Sequence, residues 1–361
     1  MFRFGPFPIL AHRLCTSPPI FTCMTETLQK SFIEDLDAIA LDLIVLFKLE
    51  FKKEVAQLSS PLMRWLEFRM RYIDSRPRQL VLSDAFPVML PATVKTGLLG
   101  LQNLMVEGGN LNPYQSKSMV QFHDASGKRR ANRTDLLWAD WGIHHLHITD
   151  VPLQGNRFSS RRCSDNEAWL LFCIVQPDAI GLIDVRKHDD QGLFADSSLI
   201  RLVQRSWPEY MNQFLLKGIT PARENITAAE LSRLRANGIN APLILDGQAY
   251  LNPGQGITSA STSSRVSNMA RELRHWVAQL ADFAANPNGQ VQRDAAAHAV
   301  SSPQLHLCCS PQGLAIYEAV RNVGYALPVN QGVNSHSERM HDLLMPHWVI
   351  EKLVSAAAAR G

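Results

Sequence analysis

Three histidines, His144, His145 and His147, fall within four consecutive residues of an apolar run. Imidazole exchanges protons near neutral pH and is also a common metal ligand. Alternation along a strand would place His145 and His147 on one face and His144 on the other. The same-face pair can therefore be a general base and acid, or two ligands of a divalent transition metal. Residues that would complete such a metal site are Asp140, Asp150, His188 and Asp189.

Two features of the sequence favour a site without a metal. No His-Glu-x-x-His signature is present, and few acidic residues lie beside the histidines. The pattern therefore predicts a catalytic site made of His145, His147 and His188 that needs no cofactor. A divalent transition metal held by the same histidines stays as the alternative.

Cations recur around these histidines. The segment from Lys117 to Arg162 contains eight basic and four acidic residues. Its net charge is therefore +4, compared with +3 for the whole chain. The total charge is too small to indicate a general nucleic-acid binder, but guanidinium groups bind phosphate in bidentate fashion. The predicted substrate-binding residues are Arg129, Arg130, Arg157, Arg161, Arg162, Arg186 and Lys187.

The composition is that of an ordinary globular protein, with 46% hydrophobic and 19% charged residues. Six cysteines without a Cys-x-x-Cys pair indicate neither a disulfide framework nor a structural zinc site. No apolar run is long enough to cross a membrane. These features predict a cytoplasmic protein that does not contact membranes.

The hydrophobic periodicity predicts an α+β fold with an N-terminal helical region, a central antiparallel sheet and a helix-rich C-terminal part. Four regions follow from it: a disordered extension over 1–24, helices over 25–110, a central α+β domain over 111–252 that carries the candidate site, and a helix-rich region over 253–361. The long N-terminal helix is also a candidate surface for a protein partner or a second copy of the chain.

Individual elements follow from local signals. Helices are expected from Thr25 to about Val55, from Ser60 through Tyr72, over 91–106, 197–214, 227–236, 265–284, near 314–320 and over 346–359. Strands are expected over 143–148, 168–175, 179–185, 243–251 (a hairpin about Asp246-Gly247) and 305–309. The polar segments 110–133 and beyond Val320 are expected to be loops. The glycine-rich loop 252–264 is expected to be a connection capped by Ser263 or Ser264.

The segment 144–188 resembles the core of the RelE/HigB superfamily of small ribonuclease toxins. The corresponding parts are the histidine strand, a basic loop with Arg157, Arg161 and Arg162, the apolar strand Leu170 to Ile174, and a strand that ends at Arg186-Lys187-His188. The resemblance implies a role in a bacterial toxin–antitoxin or phage-defence system, with RNA as the partner.

The chemistry that this resemblance implies is metal-independent cleavage of RNA, in which a ribose 2′-hydroxyl attacks its own phosphate. His145, His147 or His188 would take the proton, and Arg157, Arg161, Arg162, Arg186 or Lys187 would stabilise the developing negative charge. Two alternatives remain open at this point. One is a metal-dependent hydrolase that uses the same histidines, and the other is a non-catalytic interaction protein that binds through its long helices.

Overall fold

A computed structural model describes residues 2–3, 21–155, 157–190, 192–221, 226–310, 313–327 and 334–358. The fold is α+β, as the sequence predicts. The helices are α1 (Phe21–Leu46), α2 (Pro61–Arg69), α3 (Ala92–Glu107), α4 (Ser118–Gln121), α5 (Leu136–Trp141), α6 (Ser198–Ser206), α7 (Pro208–Asn212), α8 (Ala228–Ala236), α9 (Ser264–Ala285), α10 (Gln290–Ala297), α11 (Asn334–Leu344) and α12 (His347–Ala358). The strands are β1 (Phe2–Arg3), β2 (Gln79–Leu82), β3 (His144–Ile148), β4 (Trp169–Val175), β5 (Ala179–Lys187), β6 (Leu243–Leu245), β7 (Gln248–Tyr250), β8 (Leu305–Ser310), β9 (Gly313–Glu318) and β10 (Val323–Ala326).

The chain divides into two compact units. One unit combines residues 1–70 with 267–361, and the other contains residues 71–266. Within the described residues, no helix is both long and apolar enough to cross a membrane. The predicted disordered extension, 1–24, lies for the most part outside the described residues.

The first unit contains an antiparallel sheet with the strand order β1-β10-β9-β8. Helix α1 packs on β8 and buries apolar side chains such as Phe32, Leu36 and Ile39. The expected end of this helix near Val55 is wrong. The helix ends at Leu46 because Lys48 takes a positive φ of 51° and the Leu49 amide bonds back to the Ile44 carbonyl.

The helix expected near 314–320 is also wrong, because this segment forms strand β9. All six residues of β9 are buried, so the strand shows none of the polar alternation that would separate it from a helix. Within the segment beyond Val320 that was expected to be a loop, the structure has strand β10 and helix α11. The closing helix is confirmed as α12.

The second unit contains a mixed sheet with the strand order β2-β5-β4-β3. Strand β4 runs antiparallel to both β3 and β5, as expected, whereas β2 joins β5 in parallel. Apolar clusters cover both faces of this sheet. One face packs against α6 and α7, and the other packs against α3.

The expected helix 197–214 is two helices, α6 and α7, broken between Trp207 and Pro208. Proline disfavours helical geometry in the residue before it, and Trp207 has φ −135° and ψ 66°. The capping box that starts α8, with Thr227 and Glu230, is confirmed. So is the hairpin of β6 and β7, which are joined by Asp246-Gly247.

The prediction of an exposed loop over 110–133 is wrong. Leu111, Met119 and Asp124 are almost fully buried, and short turns of helix replace the loop. The Asn112 side chain binds the main chain of Ile73 through both its oxygen and its nitrogen, at 2.9 and 2.8 Å. Polar side chains in this segment therefore satisfy buried backbone groups instead of facing solvent.

Candidate functional site

Strand β3 carries the histidines at the edge of the mixed sheet. In its register with β4, His145 lies opposite Phe172 and His147 lies opposite Leu170. Both histidines therefore share the face of β4 that carries Leu170 and Phe172, and His144 points to the other face. The expected alternation of the histidines is confirmed by this register.

The three predicted catalytic histidines lie together. The ring centroids of His145 and His147 are 6.4 Å apart, and the ring of His188 stacks on that of His147 at 5.7 Å and 19°. Phe194 contacts two of them edge to face, His145 at 5.2 Å and His188 at 6.5 Å. We call these four side chains the histidine cluster.

Exposure differs among the rings of the cluster. The His147 residue is 3% exposed, and its Nδ1 has no hydrogen-bond partner among the described residues. The His145 side chain is 11% exposed, and that of His188 is 37% exposed. His188 Nδ1 lies 3.3 Å from the Asp189 carboxylate. A substrate would therefore meet His188 first.

The environment of the buried rings disfavours their charged form. Burial, with the nearby charges of His145, Arg161 and His188, lowers the pKa of His147 to about 3. Burial also lowers the pKa of His145, and Asp135 opposes that shift. His147 is thus a neutral proton acceptor at pH 7.

Asp135 is an acid beside the cluster that sequence reasoning missed. It precedes α5, and its Oδ1 accepts hydrogen bonds from the amides of Leu137 and Trp138 at 3.1 and 3.2 Å. Its Oδ2 accepts a hydrogen bond from Arg71 Nη2 at 3.0 Å and lies 3.6 Å from His145 Nδ1. An aspartate before an apolar run is an N-cap signal and could have located the helix. Its contact with His145 depends on the tertiary fold.

Arg71 links this acid to a further histidine, since its Nη1 donates to His123 Nδ1. Burial would raise the pKa of Asp135, but the positive charge of Arg71, with contributions from His145 and His123, brings that pKa well below its ordinary value. The carboxylate therefore stays ionised behind the histidine cluster.

Among the predicted cations, Arg161 acts most directly on the cluster. It is exposed, it has no hydrogen bond or ion pair with any described residue, and its charge contributes to the lowered pKa of His147. Its guanidinium group is therefore available to bind an anion beside that ring.

Two other predicted cations on β5 have partners of their own. Arg186 lies on the same face as His147, but its guanidinium is held by Asp184 at 2.7 Å, Asp196 at 2.5 Å and the Ser198 hydroxyl at 2.7 Å. Lys187 is the cross-strand partner of Trp169, on the opposite face of the sheet, and its Nζ lies 2.8 Å from Glu167.

The remaining predicted cations occupy loops. Arg130 binds the hydroxyl of Ser261 at 3.1 Å and the carbonyl of Ser259, and exposed Arg129 precedes it. Arg157 lies over the Phe158 ring at 5.8 Å, and Arg162 donates to the Asn166 carbonyl at 2.6 Å. The structure thus brings the three histidines together, places Arg161 where its charge acts on His147, and gives these four arginines other surroundings.

The glycine-rich loop 252–264 is packed rather than open. A Cβ at Gly254 would come within 2.3 Å of the Trp138 carbonyl oxygen, and the amides of Gly254 and Gly256 donate to the carbonyls of Asp140 and Ala139. These amides are therefore not available to an anion. The predicted cap is confirmed, since the Val266 amide donates to the Ser263 hydroxyl at 3.3 Å and α9 begins at Ser264.

No group of three or more His, Cys, Asp or Glu side chains in the described part of the chain is arranged to hold a metal ion. Comparison with protein-family models, with curated proteins and with solved structures finds no match to this chain. The structure provides an edge strand of a mixed sheet that carries a partly buried imidazole cluster, with an ionised aspartate 3.6 Å from His145 and an exposed arginine whose charge acts on His147.

Proposed function

We propose that the protein cleaves RNA without a metal ion, with the histidine cluster as its acid–base site. The observation that carries the proposal is the stack of His188 on His147, a ring whose pKa also responds to the charge of exposed Arg161. Two imidazoles and one cation are the groups that a 2′-hydroxyl needs in order to attack the adjacent phosphate.

The roles follow from exposure. In the proposed reaction, a bond forms between the 2′-oxygen and phosphorus while the bond from phosphorus to the 5′-oxygen breaks. Neutral His147 accepts the proton of the 2′-hydroxyl, and the more exposed His188 donates a proton to the leaving 5′-oxygen. Arg161 binds the phosphate. The products are a 2′,3′-cyclic phosphate and a free 5′-hydroxyl.

Substrate binding would also improve the base. The low pKa of His147 arises from burial and from positive neighbours, and it makes the free ring a weak proton acceptor. The phosphodiester monoanion of the substrate places a negative charge beside the ring, and a nearby opposite charge favours the protonated form. The pKa of His147 should therefore rise in the complex, toward the range in which general-base catalysis is efficient.

The test uses two DNA oligonucleotides of the same sequence. One contains a single ribonucleotide, and the other contains a 2′-O-methyl nucleotide instead. EDTA is present in the reactions. We expect cleavage of the first only, with a cyclic phosphate end. The variants H147Q and H188Q should each lower the rate at least about 100-fold. The control H347Q removes an 86% exposed histidine on α12 and should cleave like the wild type. Cleavage of neither oligonucleotide, or full activity in both cluster variants, would contradict the proposal. Cleavage that EDTA abolishes would favour the metal-dependent alternative.

The biological setting that fits this activity is a toxin or defence ribonuclease in the cytoplasm, as the resemblance of segment 144–188 implies. We expect that expression of the wild type in bacteria slows growth and degrades cellular RNA, and that expression of H188Q does neither. Equal growth with both proteins, at matched protein levels, would contradict this role while leaving the activity in the test tube unaffected.

A further inference from the structure

The carboxylate of Asp135 is held in a fixed orientation. One oxygen accepts two backbone amides at the start of α5, from Leu137 and Trp138, and the other accepts Arg71 Nη2. The Asp135 residue is 8% exposed. With both oxygens bonded and little water access, this carboxylate cannot rotate without breaking hydrogen bonds, so it is a rigid negative charge.

The ring of His145 presents Nδ1 to this charge. The distance of 3.6 Å from Nδ1 to Oδ2 is longer than a hydrogen bond, so the contact is electrostatic. A neutral imidazole has one N–H and one nitrogen lone pair. An Nδ1 lone pair would be repelled by the carboxylate, whereas an Nδ1–H dipole is attracted to it. Electrostatics therefore places the proton of His145 on Nδ1.

We infer that Asp135 is a positioning residue that keeps His145 in the Nδ1–H tautomer and leaves its Nε2 as a proton acceptor in the histidine cluster. This role extends the proposed ribonuclease function and rests on it. In that role Asp135 does not touch the substrate. It acts on the ring of His145, which contacts His147 and Phe194.

Burial, together with the charge of Arg71, explains why Asp135 does not instead stabilise a protonated His145. The groups that act on the His145 ring are Asp135, Arg71 and His188, with His144 beside it in the strand and His147 next to it on the same face. Burial disfavours an imidazolium most strongly, and the positive charge of Arg71 opposes part of the effect of Asp135. The result is a neutral ring whose tautomer is fixed but which does not hold a second proton.

The test is the imidazole ¹⁵N spectrum of the full-length protein at pH 7, with the His145 signals identified by their loss in H145Q. We expect Nδ1 of His145 to resonate as a protonated nitrogen and Nε2 as an unprotonated one. In D135N, which keeps an N-cap oxygen for α5 but loses the charge, the population should shift toward the Nε2–H form. This readout needs no catalytic activity, so it remains informative if RNA is not the substrate.

A kinetic arm joins the tautomer to catalysis. D135N should lower kcat for the single-ribonucleotide substrate at least about tenfold, since a wrong tautomer changes which nitrogen of His145 can accept a proton beside His147, the proposed base, and should leave KM nearly unchanged. The control D294N removes a carboxylate that pairs with Arg321 at 2.7 Å in the other unit and should not change either constant. An Nε2–H tautomer in the wild type would overturn the inference, as would an unchanged tautomer or an unchanged kcat in D135N. If D135N does not fold, the wild-type spectrum alone decides the tautomer.

Discussion

Each unit of the molecule contains a histidine beside an aspartate, and the two pairs have opposite acid–base behaviour. In the first unit, His306 Nδ1 lies 3.3 Å from Asp35 Oδ1. The hydrogen bond to Asp35 raises the pKa of His306, although burial opposes the shift. In the second unit, His145 Nδ1 lies 3.6 Å from Asp135 Oδ2, and burial lowers the pKa of His145.

Burial is the main cause of the lowered pKa of His145, and the partners of the two carboxylates add to the difference between the pairs. The second oxygen of Asp35 accepts the backbone amide of Leu307 at 2.8 Å, which is a neutral donor. Asp135 Oδ1 likewise accepts backbone amides, but Asp135 Oδ2, the oxygen nearest His145, also accepts the charged guanidinium of Arg71. An aspartate bonded to neutral groups can stabilise an imidazolium, whereas one that is already paired with an arginine can only orient a neutral imidazole. The first pair is thus suited to stability and the second to chemistry.

The structural role of the pair of Asp35 and His306 is tested through the free energy of unfolding, where we expect the largest effect. D35A leaves the Leu307 amide, in a fully buried residue, without its acceptor, and an unsatisfied buried donor costs about 1–3 kcal/mol. Together with the lost contact to His306, we expect the free energy of unfolding to fall by about 2–3 kcal/mol, measured by urea denaturation.

Helix α1 offers a matched control for D35A. Asp37 lies two residues away and makes a partly exposed ion pair with Arg274 at 3.5 Å. D37A should change the free energy of unfolding by less than about 1 kcal/mol. Equal losses in the two variants would show that Asp35 has no special structural role.

The second prediction concerns acid. Because the pKa of His147 is about 3 in the folded protein against about 6.5 in the unfolded chain, the unfolded state binds this proton first as the pH falls. The stability that the neutral ring contributes is present above pH 6.5 and is lost as the pH falls from 6.5 toward 3, by at most about 1.4 kcal/mol per pH unit. H147Q should weaken this pH dependence, measured by denaturation at several pH values. The variant H347Q should retain the wild-type slope, and an equal slope in H147Q would contradict the burial of a neutral ring.

The third prediction concerns His306, whose contribution to stability changes with pH in the opposite direction from that of His147 and by a smaller amount. The pKa of His306 is raised in the folded protein, so the stability from its contact with Asp35 is fully present below about pH 6.5 and is lost as the pH rises through the folded pKa. H306Q should remove this loss, so that the difference between wild type and variant narrows above neutral pH. A difference that stays constant between pH 6 and 9 would show that His306 does not exchange its proton in this range.

Local signals were sufficient to predict much of the fold. The hairpin of β4 and β5, the capping box at Thr227 and the alternation of His145 and His147 each depend on residues close together in sequence. Strand β9 was mistaken for a helix because all of its residues are buried and no polar periodicity remains to identify it. Strand β2 pairs in parallel with β5, about a hundred residues away, and no local pattern encodes that pairing.

The candidate site likewise combines residues that the local sequence identifies with residues that only the tertiary fold brings together. The three candidate histidines could be singled out because imidazoles cluster in sequence around β3 and at the end of β5. Asp135 and Arg71 could not, because their contact with each other joins residues 64 positions apart. The predicted cations illustrate a related limit: sequence gives the charge of Arg161 and Arg186 equally well, but only the fold shows that Arg186 already has two carboxylate partners.

The smallest predicted effect concerns Lys187 and compares the two faces of the mixed sheet. Lys187 adjoins His188 in sequence, yet it belongs to the opposite face and pairs with Glu167, both side chains being about half exposed. Exposed pairs of this kind contribute about 0.2–1 kcal/mol. K187A should therefore change the free energy of unfolding by less than about 1 kcal/mol and leave RNA cleavage at the wild-type rate.

R161A, in contrast, removes the cation whose charge acts on His147 and should raise KM. A similar rise in KM in K187A would mean that RNA also contacts the far face of the sheet, and that the histidine face alone does not define the binding surface.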